Sequence, residues 1–65
     1  MEILTWQARE ERGISLEQLS VMTGISRSTL NNIENGKTDP SFRQLERIAM
    51  ALNCKIGDLI KSEYL

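Results

Sequence analysis

Arg27, Ser28, Asn31 and Asn32 lie in the run SRSTLNNIEN, Ser26 to Asn35, at spacings that give them a common helical face. Between Ser26 and Glu34 only Leu30 and Ile33 are apolar. Ser and Asn are mediocre helix formers, so a helix that exposes them in place of Lys and Glu gives up some intrinsic stability. The chemistry these heads offer is hydrogen-bond donation and acceptance, which recognises a surface without breaking a bond. The remainder of the chain offers little for catalysis. It has no His, one Cys and no glycine-rich phosphate loop, which leaves no convincing nucleophile, base or electrophile. The sequence therefore predicts no enzyme, no catalytic residue, no cofactor and no metal site; Cys54 alone, without His, gives neither an intramolecular disulfide nor a zinc site.

The elements that must position this face follow from apolar periodicity and end signals, and they predict an all-α chain with no strand. A first helix spans about Glu2 to Arg12 and stops at Gly13. Ser15 caps a second helix, with Gln18 at the capping-box position and Leu16, Leu19 and Met22 as its apolar stripe. Gly24 ends it. Ser26 caps a third helix that runs to about Asn35, followed by Gly36. A fourth begins near Ser41 and is expected to bury Phe42, Leu45, Ile48, Ala49 and Leu52, with Asn53 as a left-handed C-cap. A fifth, about Ile56 to Lys61, presents Ile56, Leu59 and Ile60. The expected fold is a compact five-helix bundle in a single domain, residues 1–65, held by tertiary packing because helices this short are marginal alone.

The second and third helices are joined only by Thr23, Gly24 and Ile25, which suits a steep crossing. Such a crossing needs a small residue, a turn residue tolerant of positive φ and an apolar plug, and Ser20, Gly24 and Ile25 supply them in order. The result is a helix-turn-helix over about residues 15–35. Leu30 and Ile33 pin its second helix, about 26–35, to the core, while the polar side chains project outward. Short hydrogen-bonding heads in that position suit base edges in a DNA major groove. Glu34 lies beside the apolar face, where an unpaired charge is costly, so it needs a partner.

These residues resemble the Xre/Cro-type helix-turn-helix family of phage repressors and bacterial regulators, with a domain similar to that of lambda repressor. The resemblance is carried by REERGIS at 9–15, GISRSTLNNIENGKTDPSF at 24–42, LERIAMALN at 45–53 and IGDLI at 56–60. It implies Arg27, Ser28, Asn31 and Asn32 as contacts to DNA bases. It implies Ser26, Asn35 and Lys37 as contacts to backbone phosphates, with Arg43 and the helix start at Ser15 as further phosphate candidates. It also implies Arg9 as the partner of Glu34 in a structural ion pair.

Size and charge bound this reading. At 65 residues there is room for one core and no small-molecule effector domain. The formal charge is −1, unlike a strongly basic nucleic-acid binder. Yet residues 24–43 hold Arg27, Lys37 and Arg43 against Glu34 and Asp39, the one segment with a positive sum. No apolar run has the length of a signal peptide or membrane span, so a cytoplasmic protein is expected. The expected function is a sequence-specific double-stranded DNA-binding transcriptional regulator, a repressor or small controller reading a palindromic operator as a homodimer. The expected dimer contacts are Ile56, Ile60 and the tail Glu63-Tyr64-Leu65. The alternative is a protein-binding module of the same fold, an antitoxin-like or anti-regulator subunit with Leu16, Val21 and Met22 as its contact surface.

Overall fold

Three serines set the helix starts. Ser15, Ser26 and Ser41 have extended backbone, and each hydroxyl accepts the amide N–H three residues on, at 3.0, 3.2 and 3.1 Å. Gln18 and Gln44 return the contact to the backbone N–H of Ser15 and Ser41, completing two capping boxes. In the computed structural model, which describes residues 1–65, the elements are β1 (Glu2–Ile3), α1 (Thr5–Glu11), α2 (Leu16–Thr23), α3 (Arg27–Glu34), α4 (Phe42–Leu52), a 3-10 turn (Ile56–Asp58) and β2 (Ile60–Lys61).

The core lies where α4 meets α1 and α2, and is closed by Leu59, which follows the 3-10 turn. Leu19, Ile48 and Leu59 are fully buried, Leu30 and Ile33 nearly so, and Leu45, Ala49 and Leu52 continue the α4 row. α4 ends at Asn53, which takes the left-handed conformation (φ 55°) that the sequence predicts for it. Arg12 also holds this end, its Nε donating to the Leu52 carbonyl at 2.7 Å while Nη1 donates to Ala8 O at 2.8 Å. No helix is long and apolar enough to cross a membrane.

The expected five helices are four. Residues 2–3 do not open α1; they pair antiparallel with residues 60–61, Glu2 opposite Lys61 and Ile3 opposite Ile60, and the Leu4 N–H donates to Leu59 O at 2.8 Å. At the other end, the expected fifth helix shrinks to one 3-10 turn. Gly57 weakens a helix there, and the ribbon draws Ile60 and Lys61 into extended backbone. Strands of two residues leave no alternation to detect, so only the folded chain reveals them.

Two burial expectations also change. Phe42 is 72% exposed, because at the first residue of α4 the apolar row runs past the packed layer. Met22 is half-exposed, and the buried row of α2 passes through Leu19 and Thr23 instead. Trp6, on α1, is half-exposed as well.

Gly24, at φ 73°, ends α2 in the left-handed region, and a Cβ built there would meet nothing within 4 Å. Gly24→Ala should therefore cost backbone strain alone, about 1–2 kcal/mol. Thermal unfolding followed by circular dichroism should show a Tm lower by roughly 4–8 °C per kcal/mol lost, with helix content unchanged.

Candidate nucleic-acid interface

The turn between α2 and α3 is fixed from both sides of Gly24. Thr23 is buried, and its hydroxyl donates to Leu19 O at 2.8 Å and accepts the Ile25 N–H at 3.1 Å. Ser20 Oγ donates to Ile25 O at 2.6 Å. Both backbone polar groups of Ile25 thus find side-chain partners while its own side chain enters the core, so neither is buried without a hydrogen bond. Ser20 thus bonds across the turn in addition to allowing close approach, and the Thr23 bridge is a contact that the residue types alone do not signal.

The far end of α3 is held by Arg9. Its Nε donates to Glu34 Oε2 at 2.9 Å, Nη2 to Glu34 Oε1 at 3.1 Å and Nη1 to the Ile14 carbonyl at 2.9 Å. The two side chains are 10% and 6% exposed. One guanidinium therefore joins α1, the segment before α2 and the end of α3 through a two-pronged ion pair. The hydrogen bond to Glu34 raises the Arg9 pKa above its ordinary value, outweighing the burial that lowers it. A raised arginine pKa moves the alkaline limit of the pair upward, so only strongly alkaline solution would discharge the guanidinium and release its share of the stability.

Pinned at both ends, α3 turns Leu30 and Ile33 inward and leaves Arg27, Ser28 and Asn31 exposed. These three meet Leu16, at the start of α2, around an open notch. Asn32 does not line it: the residue is half-buried, and its carbonyl accepts the Lys37 N–H at 2.9 Å. The hydroxyls of Ser15 and Ser26 serve as caps, so what these positions present outward is helix N-terminal amides. Asn35 Nδ2 donates to Asn31 O at 2.9 Å and Asn31 Oδ1 at 3.2 Å; its amide would have to leave these acceptors to reach another. Lys37 and Arg43 are exposed. The ion pairs within 4 Å are Arg9–Glu34 and Arg12–Glu11, at 3.8 Å for the latter, so Arg27, Lys37 and Arg43 stand free of carboxylate partners.

Elsewhere the polar groups offer no competing centre. No three His, Cys, Asp or Glu side chains cluster to hold a metal ion. Burial pushes the Cys54 thiol above its ordinary pKa, with Asp58 adding to the shift and Arg12 opposing it, so the sulfur stays protonated at neutral pH.

Two capped helices crossing at a left-handed glycine, the second presenting a polar face, define a helix-turn-helix domain. The Helix-turn-helix family model matches residues 7–59, and the chain belongs to this Xre/Cro-type family of transcriptional regulators. It is 36% identical over 56 residues to the HTH-type transcriptional regulator SlrR of Bacillus subtilis, covering 85% of this chain and 37% of that protein. It is 34% identical over 59 residues to SinR of the same organism, covering 89% of this chain and 53% of SinR. The chain thus spans about half or less of these relatives. Among solved structures, the N-terminal DNA binding domain of SinR superposes with a TM-score of 0.81 at 29% identity, covering 94% of this chain and 90% of that one. The restriction-modification controller protein C.AhdI from Aeromonas hydrophila gives 0.82 at 27% identity, covering 86% and 85%.

Removing either partner of the α1–α3 ion pair strands a charge that is nearly out of water. Arg9→Ala or Glu34→Ala should cost about 3–5 kcal/mol in urea unfolding, whereas the paired change Arg9→Met with Glu34→Leu should cost less than either, since it leaves no charge behind.

Proposed function

We propose that the chain is a sequence-specific double-stranded DNA-binding module of a transcriptional regulator, a repressor or small controller that reads a palindromic operator as a homodimer. The observation that carries this reading is the outer face of α3, where Arg27, Ser28 and Asn31 are exposed and Arg27 has no carboxylate partner. Arg27 suits guanine O6 and N7, and Asn31 suits a base edge beside it. Asn32 is a base contact only if its half-buried side chain turns outward. Lys37 and Arg43, with the amides behind Ser15 and Ser26, suit backbone phosphates and set register; Asn35 is a weaker phosphate contact because its amide is already engaged. Both solved relatives above are consistent with the reading: one is a DNA binding domain and the other a restriction-modification controller protein.

Dimerisation follows from economy of contacts. One module offers one reading helix, and two-fold pairing doubles the contacts over half-sites about 34 Å apart. Tyr64 and Leu65 are 90% and 74% exposed and remain candidates for the contact, whereas Ile56 and Ile60 are partly spent against the core.

The second reading, a protein-binding module, draws support from Val21 and Met22, which are 81% and 51% exposed and line one shallow groove with Ile14. Leu16 is half-buried and faces the α3 notch instead, so it does not join that groove.

Selection of bound sequences from random duplexes separates the two. Retained duplexes should show log affinity falling with log salt by about 0.9 for each phosphate neutralised, and Lys37→Ala should lower that slope by about one. Arg27→Ala should cost about 1–3 kcal/mol and relax preference at one base pair per half-site. Retention of no duplex at low salt would leave the protein-binding reading. Sedimentation of the protein alone and on the selected duplex should give a dimer, and a monomer in both states would remove the two-fold model.

A further inference from the structure

The notch between the start of α2 and the outer face of α3 combines two kinds of chemistry in one place. Its lining is Leu16, Arg27, Ser28 and Asn31, and Leu16 is the single apolar member. Leu16 is the first residue of α2; it packs in part against the core cluster and remains half-exposed at the notch. Asn31 Oδ1 accepts from Asn35 at 3.2 Å, which leaves the Asn31 amide nitrogen to donate outward beside Leu16. The Arg27 guanidinium is free of carboxylates. An apolar floor is thus rimmed by hydrogen-bond donors.

Among the four bases only thymine offers a match for that pair of features. In the major groove it presents a C5-methyl group next to the O4 acceptor. Cytosine presents a donor there, adenine a donor beside its acceptor, and guanine two acceptors without a methyl group. We infer that Leu16 is a specificity-determining residue that seats the C5-methyl group of one thymine in each half-site, with Ser28 or Asn31 donating to O4 of the same base. The inference rests on the DNA-binding reading above and extends direct readout from α3 to the first residue of α2.

The test isolates the methyl group. A duplex obtained by selection from random sequences is remade with each thymine singly replaced by uracil, which keeps base pairing and O4 and deletes only the methyl carbon. Wild-type protein should lose about four-fold in affinity at one thymine per half-site, the worth of one buried methyl-sized group. Leu16→Ala should bind the thymine and uracil forms of that duplex equally. Because Leu16 also touches the core, the folding of Leu16→Ala is checked by circular dichroism, and Leu16→Gln, which keeps the length of the side chain, serves where the alanine variant melts. A wild-type protein indifferent to uracil at every position overturns the inference, as does a selected site without thymine or a uracil penalty that persists in both variants. Retention of no duplex would instead remove the DNA-binding reading, and this inference with it.

Discussion

The ion pair between Arg9 and Glu34 is the constraint on which the presentation of α3 depends. A helix of eight residues does not hold its own shape in water, and two inward side chains, Leu30 and Ile33, restrain its roll only loosely. Arg9 adds two hydrogen bonds to the last residue of α3 and a third to Ile14 O. Because a guanidinium fork is planar, both prongs reach one carboxylate only within a narrow range of helix orientation. The other end of α3 is set by Gly24 and by the bridges from Thr23 and Ser20 to Ile25. With both ends fixed, the polar face is aimed by the rest of the domain, and its side chains need contribute nothing to the fold.

That division of labour is forced by size. A 65-residue chain exposes most of its side chains, and here 13 are buried, so little apolar area is available to steady a surface helix. Polar interactions that cross between elements take over part of the work. Arg12 ties the end of α1 to the end of α4, and the Leu4 N–H ties the entry of α1 to Leu59. Each satisfies a backbone group at a helix end that would otherwise be unpaired. The ribbon pairs residues 2–3 with 60–61, and Ile60 from it packs against the core.

How much of this was legible in the sequence follows from how far apart the interacting residues are. Ser15 with Gln18, Gly24 and Asn53 act within one turn of chain, and their roles could be read directly. The polar face of α3 is legible for the same reason in Arg27, Ser28 and Asn31, which periodicity separates from Leu30 and Ile33; Asn32 shares that face by periodicity, but the fold half-buries it. The Arg12 contact to Leu52 spans 40 positions and leaves no local trace. Phe42 and Met22 are apolar yet exposed, because residue type alone does not decide burial and the position of a residue relative to the end of the packed layer does. The notch at Leu16 was hidden because it exists only once α2 and α3 have crossed.

The net charge of −1 would argue against a polyanionic partner if the whole molecule acted as one charge. It does not, because at physiological salt the screening length is about 8 Å and the domain is 31 Å along its longest axis. An acidic group one axis away is largely screened at the α3 surface, so the groups that matter are those within a screening length of it. On α3 itself the one carboxylate, Glu34, is neutralised by Arg9, and Arg27 on the same helix is unpaired, as are Lys37 and Arg43 further along the chain. The buried ion pair therefore does two things at once: it orients α3, and it removes the one negative charge on that helix from the field a duplex would meet.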